Sequence, residues 1–186
     1  MQINDFRSQL GAGGARPNQF RVKLNLPRIS SGEGLGDHNL LVTGAAAPAS
    51  TVNPAIIQYR GREVKFAGER IFDPWTVTIV NGTDFKIRDE IEAWMDGMNS
   101  RELNSGELIM TDYTSDIVVE HLDRNDGVLG TWELMSAFPI NMSEIALQYA
   151  QNDILEEFTV TFQYQYYTWQ KGSGGQTKQS SGGTLV

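Results

Sequence analysis

From Glu156 to Trp169 the chain reads EEFTVTFQYQYYTW, and apolar or aromatic residues fall at every second position from Phe158 to Tyr166. Successive side chains of a strand point to opposite faces, so this spacing predicts one long strand over 155–169. Its core face is Phe158, Val160, Phe162, Tyr164 and Tyr166. Its other face is Thr159, Thr161, Gln163 and Gln165, polar but without a charge. The same period of two appears in FRVKLNL (20–26), ended by Pro27, and in WTVTI (75–79), where Pro74 stands at a strand start. It recurs in 117–124 and 128–138, which flank the hairpin signature Asn125-Asp126-Gly127. Only one stretch changes to a period of three and four. Ile87, Ile91, Trp94, Met95 and Met98 share one helical face, with Thr83 or Asp84 as a cap and Gly97, Asn99 and Ser100 at the end. This predicts a helix over 84–98 whose tryptophan and methionines pack into a core.

The remaining segments read by their breakers. Residues 1–19 (LGAGGARPNQ within them) form an N-terminal irregular arm, and 30–39 form a loop. Leu40 to Thr43 makes a short strand. Residues 44–62 hold two prolines and many small residues, and they also carry the apolar Ile56, Ile57 and Tyr59. A connector this long in a compact domain is functional or disordered, and its apolar patch argues against simple disorder. Residues 62–81 read as a strand, a turn at Gly68 and a second strand. The polar stretch 101–115 carries a short strand at Leu108 to Met110. Ser143 to Ala150 pairs with the strand after it about Asn152-Asp153. Residues 170–186, rich in Gly, Ser and Gln, form a flexible tail. The sum is a mainly β domain over 20–169, an antiparallel sandwich or barrel of seven or eight strands with one helix.

Composition narrows the function mainly by exclusion. The 186 residues suffice for one domain with a sizeable core. A formal charge of −8 and no run of Lys or Arg argue against free nucleic acid as a ligand. Cysteine is absent, which removes disulfides, thiolate nucleophiles and cysteine metal sites. MQINDFRSQL lacks the apolar core of a signal peptide, and no apolar run reaches membrane-spanning length. His38 and His121 have no metal-ligand or triad pattern beside them. Glu156-Glu157 and Asp89-Glu90 are sequence neighbours whose side chains diverge, so they read as solvated faces. LGAGG opens no βαβ unit, and Asp112, Asp116, Asp123 and Asp126 lack the calcium-loop spacing. No enzyme activity, cofactor or metal is expected.

Long strands without site chemistry still have edges to protect or use. Edge blockers are thin here. An uncharged Thr and Gln row, together with a docking patch at Ile56, Ile57 and Tyr59, points to an assembly subunit. An ordinary solvated sheet would also account for the row. A lipocalin-like ligand-binding barrel is the alternative of another class; it requires an apolar cavity in a lasting monomer.

Several separated blocks carry a resemblance. ARPNQFRVKL (15–24), AGERIFDPWTVTIVN (67–81), IRDEIEAWMDGMN (87–99) and GTWELMSAFPINMSEIALQYAQNDILEEFTVTFQYQYY (130–167) resemble, in order, the tail tube proteins of contractile-tailed bacteriophages. Residues 27–39 and the tail beyond Trp169 depart from the family pattern. The resemblance implies hexameric rings stacked into a rigid hollow tube of the virion tail, through which the genome passes when the sheath contracts. Implied partners are further copies of the chain, the tail sheath protein, a baseplate tube initiator, a tail terminator, and the tape measure protein and DNA as passing contents. The tube of a type VI secretion or extracellular contractile injection system is the near alternative. By similarity the 44–62 loop reaches the adjacent ring. Ile56, Ile57, Tyr59 and Arg60 are its expected inter-ring residues, with Arg16 and Phe20 of the arm joining them. Thr159, Thr161, Gln163 and Gln165 are then expected to face the lumen or a neighbouring subunit.

Overall fold

The computed structural model describes residues 3–10, 14–27, 40–150 and 152–172. Over these it is mainly β, as the period-two pattern predicts. Nine strands are present: β1 (Phe20–Leu24), β2 (Val42–Ala45), β3 (Ser50–Tyr59), β4 (Arg62–Phe72), β5 (Trp75–Val80), β6 (Ser115–Leu122), β7 (Val128–Met142), β8 (Glu157–Gln163) and β9 (Tyr166–Lys171). Three helices accompany them: α1 (Ile3–Leu10), α2 (Lys86–Met98) and the single turn α3 (Met110–Tyr113).

All pairings are antiparallel, and β7 organises them. Its first half pairs with β6 and β9, and β1 extends that layer beyond β6. Its second half pairs with β8, which continues through β5 to β2. One 15-residue strand therefore belongs to both layers. The bend lies at Ser136, whose φ of 53° falls where the β6 register slips between Ser115 and Ile117. Asp116 supports this bulge, its Oδ1 accepting from the Ser136 N–H at 2.8 Å. The sequence pattern covers 128–138, just short of Pro139, yet the strand runs on to Met142. It continues because Pro139 sits at a second register slip, where a missing ladder donor does no harm.

The core lies between the two layers. Val22 and Leu24 of β1, Trp75, Val77 and Ile79 of β5, Ile117 and Val119 of β6, Leu134 of β7, and Phe158, Val160 and Phe162 of β8 are all buried. Helix α2 closes it with Ile87, Ile91 and Trp94. Trp94 packs 5.9 Å from the Phe162 ring, and its Nε1 donates to the Tyr113 carbonyl at 2.6 Å. Thus a polar atom enters the core already satisfied, which avoids a desolvation cost. Glu90 is buried as well, because position 90 shares the face of 87, 91 and 94; the expectation of a solvated Asp89-Glu90 pair holds for Asp89 alone. Neither Thr83 nor Asp84 is the N-cap residue. Phe85 occupies that position with φ 54°, while Asp84 Oδ1 accepts from the Lys86 N–H at 3.4 Å. In the last turn of α2, Asp96 accepts from the backbone N–H and Nε of Arg101 beyond the helix, which holds its carboxyl below the usual carboxylate range.

Other expectations need correction. Residues 3–10 of the arm are helical rather than irregular. The segment 44–62 is mostly strand β3, and Gly68 lies inside β4 rather than at a turn. The chain reverses instead at Arg60-Gly61. Met110 begins a helical turn, not a strand end. Residues 143–150 form no strand, so β8 has no hairpin partner there. The long strand over 155–169 divides into β8 and β9. Residues 30–39, with His38, and the tail from 173 onward lie outside the described residues.

Candidate assembly interface

The most exposed element is the β3–β4 hairpin. Every residue from 51 to 71 is exposed. Nine cross-strand pairs hold it, from Ser50 with Phe72 at the base to Tyr59 with Arg62 at the tip. Arg60 and Gly61 form the two-residue turn, both with positive φ, at 47° and 81°. Such a turn matches the natural twist of a hairpin, and Gly61 adopts it without the steric cost of a side chain. One bulge interrupts the ladder, with Asn53 facing both Gly68 and Glu69. A Cβ at Gly68 would lie 2.4 Å from the Asn53 carbonyl oxygen, so this close approach requires glycine.

The register sorts the side chains by face. Ala55, Ile57 and Tyr59 stand opposite Phe66, Val64 and Arg62, and beyond the bulge Ile71 joins them opposite Thr51. The other face carries Ile56, Gln58, Glu63 and Lys65, with Gln58 Nε2 donating to Glu63 at 3.0 Å. Hence the hairpin has one largely apolar face and one face of mixed apolar and polar residues, and both are exposed. Isolated two-stranded ribbons are marginal in water. An apolar ribbon face of this extent marks an interaction surface.

An aromatic base aims the hairpin. Phe72 lies 6.0 Å from Tyr164 and 5.6 Å from Tyr167. Tyr164 donates its hydroxyl hydrogen to the Ala49 carbonyl at 3.3 Å, and Trp75 Nε1 donates to the Ala46 carbonyl at 2.6 Å. Burial, then the neighbouring Tyr167 and Asp73, raises the Tyr164 hydroxyl above its ordinary pKa. These residues lie outside the sequence-based set. The missed signal was Phe72-Asp73-Pro74, which ends one strand with an aromatic and starts the next with proline.

The expected site residues fall into three places. Ile56, Ile57, Tyr59 and Arg60 cluster at the hairpin tip, although Ile56 points to the face opposite Ile57 and Tyr59. Arg60 stacks its guanidinium 5.5 Å from the Tyr59 ring centre. Phe20, by contrast, packs against the core. With Pro17 it lines a small cleft beside Ala45, Ala46 and Ala47, where β2 leads into the hairpin. Arg16 is exposed, and its carbonyl accepts from Nε2 of His121 at 2.9 Å. Thr159, Thr161 and Gln163 form one row on the outer face of β8. Across the ladder Thr159 faces Thr78 and Thr161 faces Thr76, the latter hydroxyls 3.0 Å apart. Asn141 of β7 lies on the other side of Thr161. The uncharged polar face therefore spans three strands, with Glu157 at one end of its β8 row. Gln165 leaves the row, since the chain turns from β8 to β9 there and its N–H donates to the Met135 carbonyl at 3.1 Å.

Among the described residues no group of three or more His, Cys, Asp and Glu side chains is placed to hold a metal ion. Asp123 is committed to the β6–β7 turn, accepting from the N–H groups of Asn125 and Gly127 at 2.7 and 2.8 Å.

The overall fold is shared with subunits of solved baseplate and sheath–tube assemblies. A subunit from an anti-feeding prophage baseplate shares it with TM-score 0.61 and 14% identity, over 84% of this chain and 95% of that one. A sheath–tube complex of an extracellular contractile injection system shares it with TM-score 0.56 and 16% identity, over 88% and 97%. The phage tail tube protein family matches residues 15–170, and the chain belongs to that family. It is 29% identical over 165 residues to a tail tube protein of Serratia phage KSP90, covering 87% of this chain and 93% of the relative. The tail tube protein of Enterobacteria phage T4 is 27% identical over 157 residues, covering 82% and 90%. The chain is thus a structural protein of the phage tail, not an enzyme.

Proposed function

We propose that this chain forms hexameric rings whose β3–β4 hairpins bind the next ring, building the rigid inner tube of a contractile tail. The observation that carries this reading is the hairpin itself, 21 successive exposed residues with one apolar face that the described residues leave exposed. A buried partner surface is what such a face requires, and a second copy supplies one in every ring. The uncharged Thr76, Thr78, Thr159, Thr161 and Gln163 face lines the lumen in this reading. Neutral polar groups stay wet without holding phosphate, so DNA and the tape measure protein slide past. The opposite surface meets the sheath, while a baseplate initiator and a tail terminator bind the two ends of the tube. Support for sheath and terminator as partners comes from the sheath–tube and terminator assemblies in which similar folds occur. The curated relatives from Serratia phage KSP90 and Enterobacteria phage T4 are phage proteins, which favours genome passage over export of protein cargo.

Negative-stain electron microscopy tests the hairpin's part. The wild-type chain should give tubes of uniform diameter. Ile57→Asp should give rings of the same diameter that do not stack, and wild-type stacking by that variant would refute the inter-ring role.

A further inference from the structure

The hairpin occupies one end of the molecule, and a chemically matching surface occupies the other. β5 and β8 run between these ends. Trp75 pairs with Phe162 beside the hairpin base, whereas Val80 pairs with Glu157 at the far end. Six strand residues separate the two ends by about 20 Å. At the far end residues 145–149 and 154–157, between β7 and β8 and into the start of β8, line an open cleft of about 730 Å³. Leu147, Tyr149, Ile154 and Leu155 line it and are among the most exposed apolar side chains of the protein. Resting on the hairpin reading above, we propose that this cleft is the receptor for the hairpin tip of a second copy in the neighbouring ring.

Charge supports that occupant. Segment 143–157 carries Glu144, Asp153, Glu156 and Glu157 and no Lys or Arg. Segment 50–72 carries Arg60, Arg62, Lys65 and Arg70 against Glu63 and Glu69, a net positive ribbon in a chain of charge −8. The tip therefore offers aromatic and aliphatic side chains with two arginines at its turn, and the cleft offers aliphatic and aromatic walls bounded by carboxylates. Different patches at opposite ends make a heterologous, head-to-tail contact, which propagates rather than closing on itself. Repeated along one axis, it stacks rings without limit until something covers a cleft or a hairpin.

Mixing two defective chains tests the pairing. Ile57→Asp spoils the hairpin and keeps the cleft. A Leu147→Asp/Tyr149→Asp chain spoils the cleft and keeps the hairpin, and both changes lie on exposed residues. Each alone should give single rings. Preformed rings of the two kinds, mixed, should give stacks of two rings that grow no further, because only one of the two possible contacts is intact. Full-length tubes from the cleft variant overturn the proposal while leaving the hairpin reading intact. Tubes from Ile57→Asp would instead sink the hairpin reading itself. Loss of rings by a cleft variant with wild-type circular dichroism would place the cleft in lateral contact and also overturn the proposal. A milder pair tests the charges: Glu144→Lys/Asp153→Lys should lower the tube yield at least tenfold, and Arg60→Glu/Arg62→Glu in the same chain should restore it. Tube yield unchanged by the first pair would count against the cleft as receptor.

Discussion

Phe162 shows how much a single side chain does here. It is fully buried, with its ring 6.0 Å from that of Trp75 and 5.9 Å from that of Trp94, so it joins β8 to both β5 and the covering helix. Phe162→Ala should cost about 3–5 kcal/mol, seen as a lower denaturation midpoint of the subunit. Tyr164, two residues on, should reveal itself through pH. Its hydroxyl is held neutral above the ordinary tyrosine range by burial and by Tyr167 and Asp73. The stability it contributes is complete below the ordinary tyrosine pKa, about 10, and is lost as pH rises through the raised value. Tyr164→Phe should therefore lower the denaturant midpoint at pH 8 by the loss of one hydrogen bond, roughly 1 kcal/mol, and flatten the decline above pH 10. A variant declining as steeply as the wild type would contradict this assignment. Residues of this kind were legible, since Phe158, Val160, Phe162 and Tyr164 alternate without interruption. Glu90 was not, because a carboxylate among the apolar positions of a helix carries no mark that it is buried.

Elements were legible where one face meets a core and illegible where neither does. The hairpin face with Ile57 awaits a partner, so β3 lacks a clean inside-outside alternation and its prolines and alanines read as loop. The turn was hidden too, as Arg60-Gly61 is a weaker signature than the Asn125-Asp126-Gly127 of the β6–β7 turn. Similarly, β7 reads as ending at Pro139 because a proline normally ends a strand, whereas here a bulge accommodates it. Two substitutions test these devices. Asp116→Ala leaves the Ser136 N–H unpaired at a positive φ and should destabilise the subunit by about 1–3 kcal/mol in chemical denaturation. Gly68→Val forces a side chain against the Asn53 carbonyl, so it should spoil the ribbon yet spare the core, which it does not touch. Its expected signature is a near-wild-type melting midpoint for the subunit together with lost stacking, and tubes of wild-type length would contradict it.

At the scale of the molecule, charge and edges acquire a purpose. In the proposed hexameric ring, six copies of a chain at −8 would carry about −48, an effect confined to roughly 8–10 Å by physiological salt. The face that combines Thr76, Thr78, Thr159, Thr161 and Gln163 keeps that charge away from the surface proposed to meet DNA. Among the described strands β1, β2 and β9 lie at the margins of the sheet, and in the proposed ring these margins are where neighbouring subunits would join it into one closed sheet. The most direct test of the whole account is an electron cryomicroscopy reconstruction of the assembled tube at side-chain resolution. It should show six-fold rings, each hairpin crossing into the next ring, and Thr159 and Thr161 lining the lumen. Hairpins folded back within their own ring, or Thr159 and Thr161 on the outer sheath-facing surface, would contradict it.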